Sequence, residues 1–448
     1  MSAVARVMVA RGVPVSGSDA KDLPVMHDLA TLGAQIAVGY DASHVGDADT
    51  VVVGSAIRAD NPEIVEAQAR GLKILHRSEG LAAAMAGSRV LAVAGTHGKT
   101  TTTSMATWML RGAGLDPSFA IGANVPALGV NAAHGSTDVF VAEADESDAS
   151  FLNYRPLVEV ITNVEADHLD HYGSADAVHA AFDDFARLLP SEGLLVACAD
   201  DAGARGVAER IRATAGDAGP RVVLYGTADD ADVRLDVASE GTTVEWAGRR
   251  FALPLVVPGL HNARNAAGAL AAVVLGLGAD PGAAAASLST FSGAARRFEL
   301  KGEAAGVKVY DDYAHHPTEV RAALAAARSV AGPGRVLVLF QPHLFSRTRE
   351  FSSEFAAALS EADTVRVLDI YPAREDPIPG VTSRLVTDAL PSGSYAPSAA
   401  DAVLEIASAA RPGDIVLTVG AGDVTVQGPA ILDALRGRGP GGEGRHVT

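Results

Sequence analysis

"AVAGTHGKTTTTSM", residues 92–105, decides how the rest of the chain is read. A small apolar run enters a loop with two glycines, Gly95 and Gly98, and meets Lys99 and four threonines, Thr100 to Thr103. A strand that ends in glycines and opens a helix aims backbone N–H groups at an anion, and the helix dipole adds to the attraction. Lys99 would neutralise the outer phosphates of a nucleotide, and the Thr100 hydroxyl would reach Mg²⁺. The common spacing G-x-x-x-x-G-K-[ST] needs glycine at position 93, where this chain has Val93. The loop is therefore a shortened phosphate loop, G-T-H-G-K-T, made of Gly95, Thr96, His97, Gly98, Lys99 and Thr100, with Thr101 on the first helical turn.

Around it, short apolar strands alternate with helices, which argues for an α/β fold with mostly parallel sheets. Strands are read at 50–57, 89–95, 138–147, 157–168, 194–201 and 221–226, and helices at 62–70 and 99–114. Residues 231–258 alternate and carry turn signals, so a small antiparallel part is expected there. An Ala-rich helix follows at 261–278, and strand–helix alternation resumes after "FSGAARRFEL", with helices at 317–330 and 348–360. With 448 residues, three domains are expected, at 1–87, 88–294 and 295–448. The Gly-rich end "RGRGPGGEGRHVT" is read as frayed.

Composition narrows the function. The chain is 48% hydrophobic, carries a formal charge of −18 and has no basic stripe, which argues against nucleic acid as a partner. No apolar run is long enough to span a bilayer, and the N-terminus lacks the order of a signal peptide, so a cytoplasmic protein is expected. The single cysteine, Cys198, lies in an apolar run and is read as a buried inert thiol.

Further chemistry clusters at strand ends, where open α/β sheets bind ligands. "VAEADESD" and "NVEADHLDH" place Glu143 and His168 there, and with Thr100 they could share a divalent ion beside phosphates. Glu146, Asp148, Asp167, Asp170 and His171 are rivals for that role that spacing alone does not exclude. "HNARN" (261–265) reads as a helix cap or as an adenine-side carboxamide, with the cap favoured by the residues alone. "DDYAHHP" (311–317) packs two Asp, a Tyr and two His into one turn. "QPHLFSRTRE" offers Arg347 and Arg349, suited either to a carboxylate or phosphate or to a solvated first helical turn.

These motifs in this order, G-T-H-G-K-T-T-T, A-E-A-D-E-S-D, T-N-V-E-A-D-H, H-N-x-x-N, R-R-F-E and D-D-Y-x-H-H-P, resemble the Mur ligase family over nearly the whole chain. The resemblance implies a Rossmann-like N-terminal domain for a UDP moiety, a central phosphate-loop ATPase domain and a Rossmann-like C-terminal domain. Within the family it falls with the branch that joins L-alanine to the lactyl carboxylate of UDP-N-acetylmuramate through an acyl phosphate, for peptidoglycan precursors. It implies ATP and Mg²⁺, with Thr100, Glu143 and His168 as metal ligands, and His261, Asn262 and Asn265 on the adenine side. Arg297 and Asp312 are implied to face the nucleotide. Lys99, His315 and Arg347 are implied to be catalytic, with Tyr313, His315 and Arg347 around the amino acid and acyl centre. Ser18, Asp19 and Ser55 remain for the UDP part. A monomer or homodimer is expected.

Two departures stand out. Leu344 occupies a position where some members have Arg. The family's opening turn, G-x-G-G-x-G-M, has no counterpart, since "MSAVARVMVARG" matches the helix after it. Met1 is therefore read as an internal methionine of a longer reading frame, with the N-terminal sheet short of one strand. The rival readings are a recycling ligase that attaches a tripeptide to the same sugar nucleotide, a folate polyglutamate ligase, a nucleotide switch and an inactive, N-terminally truncated form. Tyr313 and Ser147 favour the alanine branch, because the recycling enzymes tend to carry Phe in the D-D-Y motif and E-Y-D in place of E-S-D.

Overall fold

The computed structural model describes residues 1–437 except 56, 239, 374 and 392. Most of the Gly-rich end, 438–448, thus lies outside the described residues. The chain divides into two compact units. The first takes 1–256 and 262–292; the second takes 257–261 and 293–448. The N-terminal and central segments fall in one unit, and His261 and Asn262 fall in different ones.

The first unit opens with the helix Ser2–Ala10 and four short strands, β1 (Ser16–Asp19), β2 (Gln35–Val38), β3 (Thr50–Val53) and β4 (Lys73–His76). They form two separate parallel pairs, β1 with β2 and β3 with β4. Ser18 and Asp19 lie inside β1. The central sheet has ten strands: β5 (Arg89–Ala94), β6 (Ser118–Ala120), β7 (Ala132–Ala133), β8 (Val139–Glu143), β9 (Val158–Ile161), β10 (Leu194–Cys198), β11 (Arg221–Gly226), β12 (Val233–Ala238), β13 (Gly241–Trp246) and β14 (Arg249–Leu253). Their order is β14-β13-β12-β11-β10-β9-β5-β8-β6-β7. The strands β5, β8, β9 and β10 are parallel and nearly wholly buried, as sheets covered on both faces must be. The antiparallel part expected at 231–258 is the β12–β14 meander at the sheet edge. Cys198 is buried at the end of β10, and burial pushes its thiol up to about 11, so it is a poor nucleophile.

The strand read at 157–168 ends at Ile161. The chain leaves the sheet there because Thr162 and Asn163 turn their side chains to the phosphate loop. The helix Lys99–Gly112 is buried along its threonines, and Thr103, Ser104 and Thr107 satisfy their hydroxyls on carbonyls one turn back. The helix Leu260–Ala271 runs into a π-helical turn at Ala272–Gly276.

The second unit is a six-stranded sheet of β15 (Glu299–Ala304), β16 (Val307–Asp312), β17 (Val336–Phe340), β18 (Thr364–Val367), β19 (Gly393–Tyr395) and β20 (Ile415–Val419), in the order β15-β16-β20-β17-β18-β19. All pairs but β15–β16 are parallel, and an apolar cluster covers each face. Among the described residues, no helix is long and apolar enough to cross a membrane.

Candidate active site

Position 93 comes first. Val93 is fully buried inside β5, paired in register with Glu143 of β8 and packed where no loop residue could be. The loop starts only at Gly95, so glycine is needed there and at Gly98. Gly95 has φ +140°, and a Cβ on it would lie 2.0 Å from the Thr162 hydroxyl. Gly98 has φ +81°, and a Cβ would lie 2.7 Å from the Asn265 side-chain oxygen. Both conformations disfavour any other residue.

The end of β9 braces the loop. The Thr96 N–H donates to the Asn163 carbonyl at 3.1 Å, and the His97 N–H donates to the Asn163 side chain at 2.7 Å. The His97 carbonyl accepts from Thr162 and from the Asn163 amide. Thr162 and Asn163 thus hold the loop in place, and the T-N of T-N-V-E-A-D-H is their only signal in the sequence.

Lys99 turns inward. Its ammonium donates to the Gly95 carbonyl at 2.6 Å, to the Thr96 carbonyl at 3.1 Å and to Glu146 at 2.8 Å. Burial alone would lower its pKa, but the carboxylates of Glu146, Asp145 and Glu143 outweigh burial and hold it above the ordinary lysine value. Burial pushes the Glu146 carboxyl up to about 7, against the pull of Lys99. Glu146, only 2% exposed, is thus the lysine's counter-charge.

Thr100 and Glu143 meet as expected: the hydroxyl donates to the carboxylate at 2.9 Å, whose other oxygen accepts the Gly122 N–H at 2.6 Å. A hydroxyl and a carboxylate at the mouth of a phosphate loop suit a hard cation such as Mg²⁺. His168 does not lie at a strand end. It sits in a left-handed conformation (φ 56°) before the turn Leu169–Tyr172, with its Nε2 3.8 Å from Glu146 and from Asp167. The rival Asp148 turns away to Ser55, and Asp167 accepts the His168 N–H.

Asn262 and Asn265 are buried in the first turns of the helix Leu260–Ala271, Asn265 against Gly98. Ser18 donates to Glu63 at 2.6 Å, Asp19 accepts the Lys21 N–H, and Ser55 bonds His76 and Asp148.

In the second unit, the carboxyl ends of β16 and β17 carry the chemistry. Asp312 accepts the N–H groups of Phe298 and Ala314, each at 2.8 Å. Burial pushes its carboxyl up to about 6, with Arg297 opposing. The two adjacent arginines flank one ring. Arg296 spends its guanidinium on the Gly420 and Gly422 carbonyls and lies 3.3 Å from buried Asp311, which makes it a structural strut. Both guanidinium groups lie over the Tyr313 ring, each at 4.8 Å. His315 stands edge-on to Tyr313 at 5.2 Å and to His343 at 6.0 Å, while His316 caps the helix Pro317–Ala331 with Glu319 in a capping box. His343 stacks on Tyr371 at 5.8 Å; neither was singled out from sequence, because they meet only when two strand ends align.

Arg347 lies on the helix Phe345–Leu359, which starts three residues earlier than the sequence suggests. It is buried, 6% exposed, whereas Arg349 is exposed. The early start follows from Leu344, held at φ 70° by its N–H bond to the Tyr371 carbonyl.

Comparison with known proteins bears on this geometry. Three family models match successive parts of the chain: Mur ligase family, catalytic domain, over 1–89; Mur ligase middle domain over 93–273; and Mur ligase, glutamate ligase domain, over 296–422. The UDP-N-acetylmuramate--L-alanine ligase of Paenarthrobacter aurescens is 69% identical over 98% of this chain and 95% of its own length. The protein of that name from an Arthrobacter species is 67% identical over 99% of this chain and 94% of its own. Among solved structures, the UDP-N-acetylmuramate-alanine ligase MurC of Thermotoga maritima superposes with a TM-score of 0.77 at 29% identity, covering 97% of this chain and 96% of that one. The murein peptide ligase of Psychrobacter arcticus gives 0.70 at 27%, with the same coverage.

Proposed function

Because the chain belongs to the Mur ligase family, we propose that it is an ATP-dependent ligase joining L-alanine to the lactyl carboxylate of UDP-N-acetylmuramate. The observation that carries this is the braced phosphate loop, with Lys99 held over it and Thr100 bonded to Glu143. Two relatives above two-thirds identity carry the name of that activity, which favours it over tripeptide recycling.

The lactyl carboxylate attacks the γ-phosphorus of ATP, ADP leaves, and an acyl phosphate forms. The alanine amine then attacks the acyl carbon, loses a proton, and inorganic phosphate departs with the C–O bonding pair. Lys99 releases its loop carbonyls and places its charge on the transferring phosphoryl oxygens. The N–H groups at the start of the helix Lys99–Gly112 hold the phosphates, with Thr101 on its first turn and its dipole pointing at them. Thr100 and Glu143, with His168, would hold Mg²⁺, which supplies charge neutralisation at those oxygens. Asn262, Asn265 and His261 bind the adenine side, and Arg297 and Asp312 the nucleotide. Tyr313, His315 and Arg347 orient alanine and the acyl centre. Ser18, Asp19 and Ser55 hold the sugar nucleotide. The domains are assigned as 1–87, 88–294 and 295–448, and the enzyme is placed in the cytoplasm, with its ATP.

Coupled ADP release tests this. UDP-N-acetylmuramate with L-alanine should give turnover that falls away when either is withheld. Faster release with a tripeptide than with L-alanine would move the chain to the recycling branch.

A further inference from the structure

The first unit contains a directed hydrogen-bond chain that the ligation chemistry does not require. Asn153 donates its side-chain amide to the Ser78 hydroxyl oxygen at 2.8 Å, and Ser78 is only 2% exposed. The Ser78 hydroxyl lies 2.8 Å from His76 Nδ1, and the Ser78 backbone N–H also points at Nδ1, at 3.4 Å. Two donors aimed at Nδ1 make it the acceptor nitrogen, so the proton sits on Nε2. That Nε2 lies 2.9 Å from the Ser55 oxygen, and the Ser55 hydroxyl in turn donates to Asp148 at 3.1 Å. Ser55 therefore receives one proton, gives its own away, and keeps one lone pair for a further donor.

The chain also has a location. His76 ends β4 and caps the helix Arg77–Met85 in a capping box with Glu79. Asp148 and Asn153 follow Glu143, the carboxylate bonded to Thr100 of the phosphate loop, and Arg77 reaches Asp145 of the same stretch at 3.2 Å. The part of the acceptor that must come near the phosphate loop is its carboxylate-bearing sugar, not its uridine.

We propose that His76 and Asp148 are positioning residues that present the Ser55 oxygen as a hydrogen-bond acceptor to a hydroxyl or amide N–H of the acceptor's amino-sugar portion. This rests on the ligase reading above. A carboxylate behind the serine disfavours a phosphate at the same spot, because the serine proton is already spent and Asp148 repels a second anion.

Steady-state kinetics of the full chain test it, with UDP as competitive inhibitor to separate the two ends of the acceptor. Ser55→Ala and His76→Ala should each raise the KM for UDP-N-acetylmuramate about 3–10-fold, the span of one hydrogen bond. The KM for ATP, kcat and the inhibition constant of UDP should stay within about twofold. The double variant should be no worse than Ser55→Ala alone, and His76→Gln, which keeps a donor near the Nε2 position, should recover most of the loss. Additive effects, an equal rise in the KM for ATP, or an unchanged KM in His76→Ala would overturn the relay. Equal weakening of UDP would overturn the assignment to the sugar. Ser55→Ala and His76→Gln leave the helix cap or most of it in place, so a misfolded His76→Ala leaves the proposal testable. Wild-type protein without alanine-dependent ADP release would defeat the ligase reading instead.

Discussion

At the scale of single residues, Lys99 and the two loop glycines make the sharpest demands. Lys99 gives all three of its ammonium protons to its own loop and to Glu146, so its removal disturbs little packing outside the loop. Lys99→Met should lower kcat by about 10²–10³-fold or more, the cost of losing one preorganised charge at a developing anion. Circular dichroism should show the fold intact; near-normal turnover would refute the role. For the glycines the order matters. Gly95→Ala drives a Cβ to 2.0 Å from a threonine oxygen that the β9 end holds in place, whereas Gly98→Ala meets an asparagine side chain at 2.7 Å. Both sit at positive φ and should cost about 1–3 kcal/mol in backbone strain alone. In urea unfolding Gly95→Ala should be the more damaged, and Gly98→Ala should mainly raise the KM for ATP. The reverse order would mean that the Asn265 contact is stiffer than the Thr162 contact.

At the scale of one element, β9 carries a liability beside its service. Its end braces the phosphate loop, yet Glu159 in its middle is fully buried, and neither carboxylate oxygen has a hydrogen-bond partner among the described residues. Its register partners, Ala92 of β5 and Leu195 of β10, are fully buried as well. Burial drives its pKa well above the ordinary carboxyl value, so the folded chain holds it neutral. The sign follows from linkage: a raised folded pKa gives stability that is complete below the unfolded value of ~4.3 and lost as pH climbs above it. Glu159→Leu should therefore stabilise the first unit by about 1–3 kcal/mol near pH 8, and by less near pH 5. Urea midpoints at the two pH values measure it. An equal gain at both would place the cost in packing, not in ionisation.

At the scale of the whole molecule, nucleotide and metal should act on stability together. A non-hydrolysable ATP analogue at 100 times its Kd should add about 2.7 kcal/mol. Thermal melts with and without EDTA read the magnesium share. Glu143→Gln should lose that share and keep part of the nucleotide effect. A melt shift indifferent to EDTA would count against Thr100 and Glu143 as metal ligands.

Much was legible because it is local. Alternating strands and helices, a G-T-H-G-K-T loop and acidic strand ends depend on neighbours in the chain, and so the α/β class and the loop could be read from residue order, with Glu143 one of several acidic candidates beside Thr100. The motif order, seen against the Mur ligase pattern, added the reaction. What residue order could not carry depends on partners far apart in the chain. Only the fold showed that Val93 pairs in register with Glu143 and that Glu146 is the counter-charge of Lys99. It also tied Arg296 to the Gly420 and Gly422 carbonyls and separated His316 the cap from His315. It brought Asn153, Ser78, His76, Ser55 and Asp148 into one line. The physical reason is the same in each case. Propensity and periodicity are set within a turn or a strand, but burial, hydrogen-bond direction and pKa are set by whichever distant groups the packed sheets bring within about 3 Å.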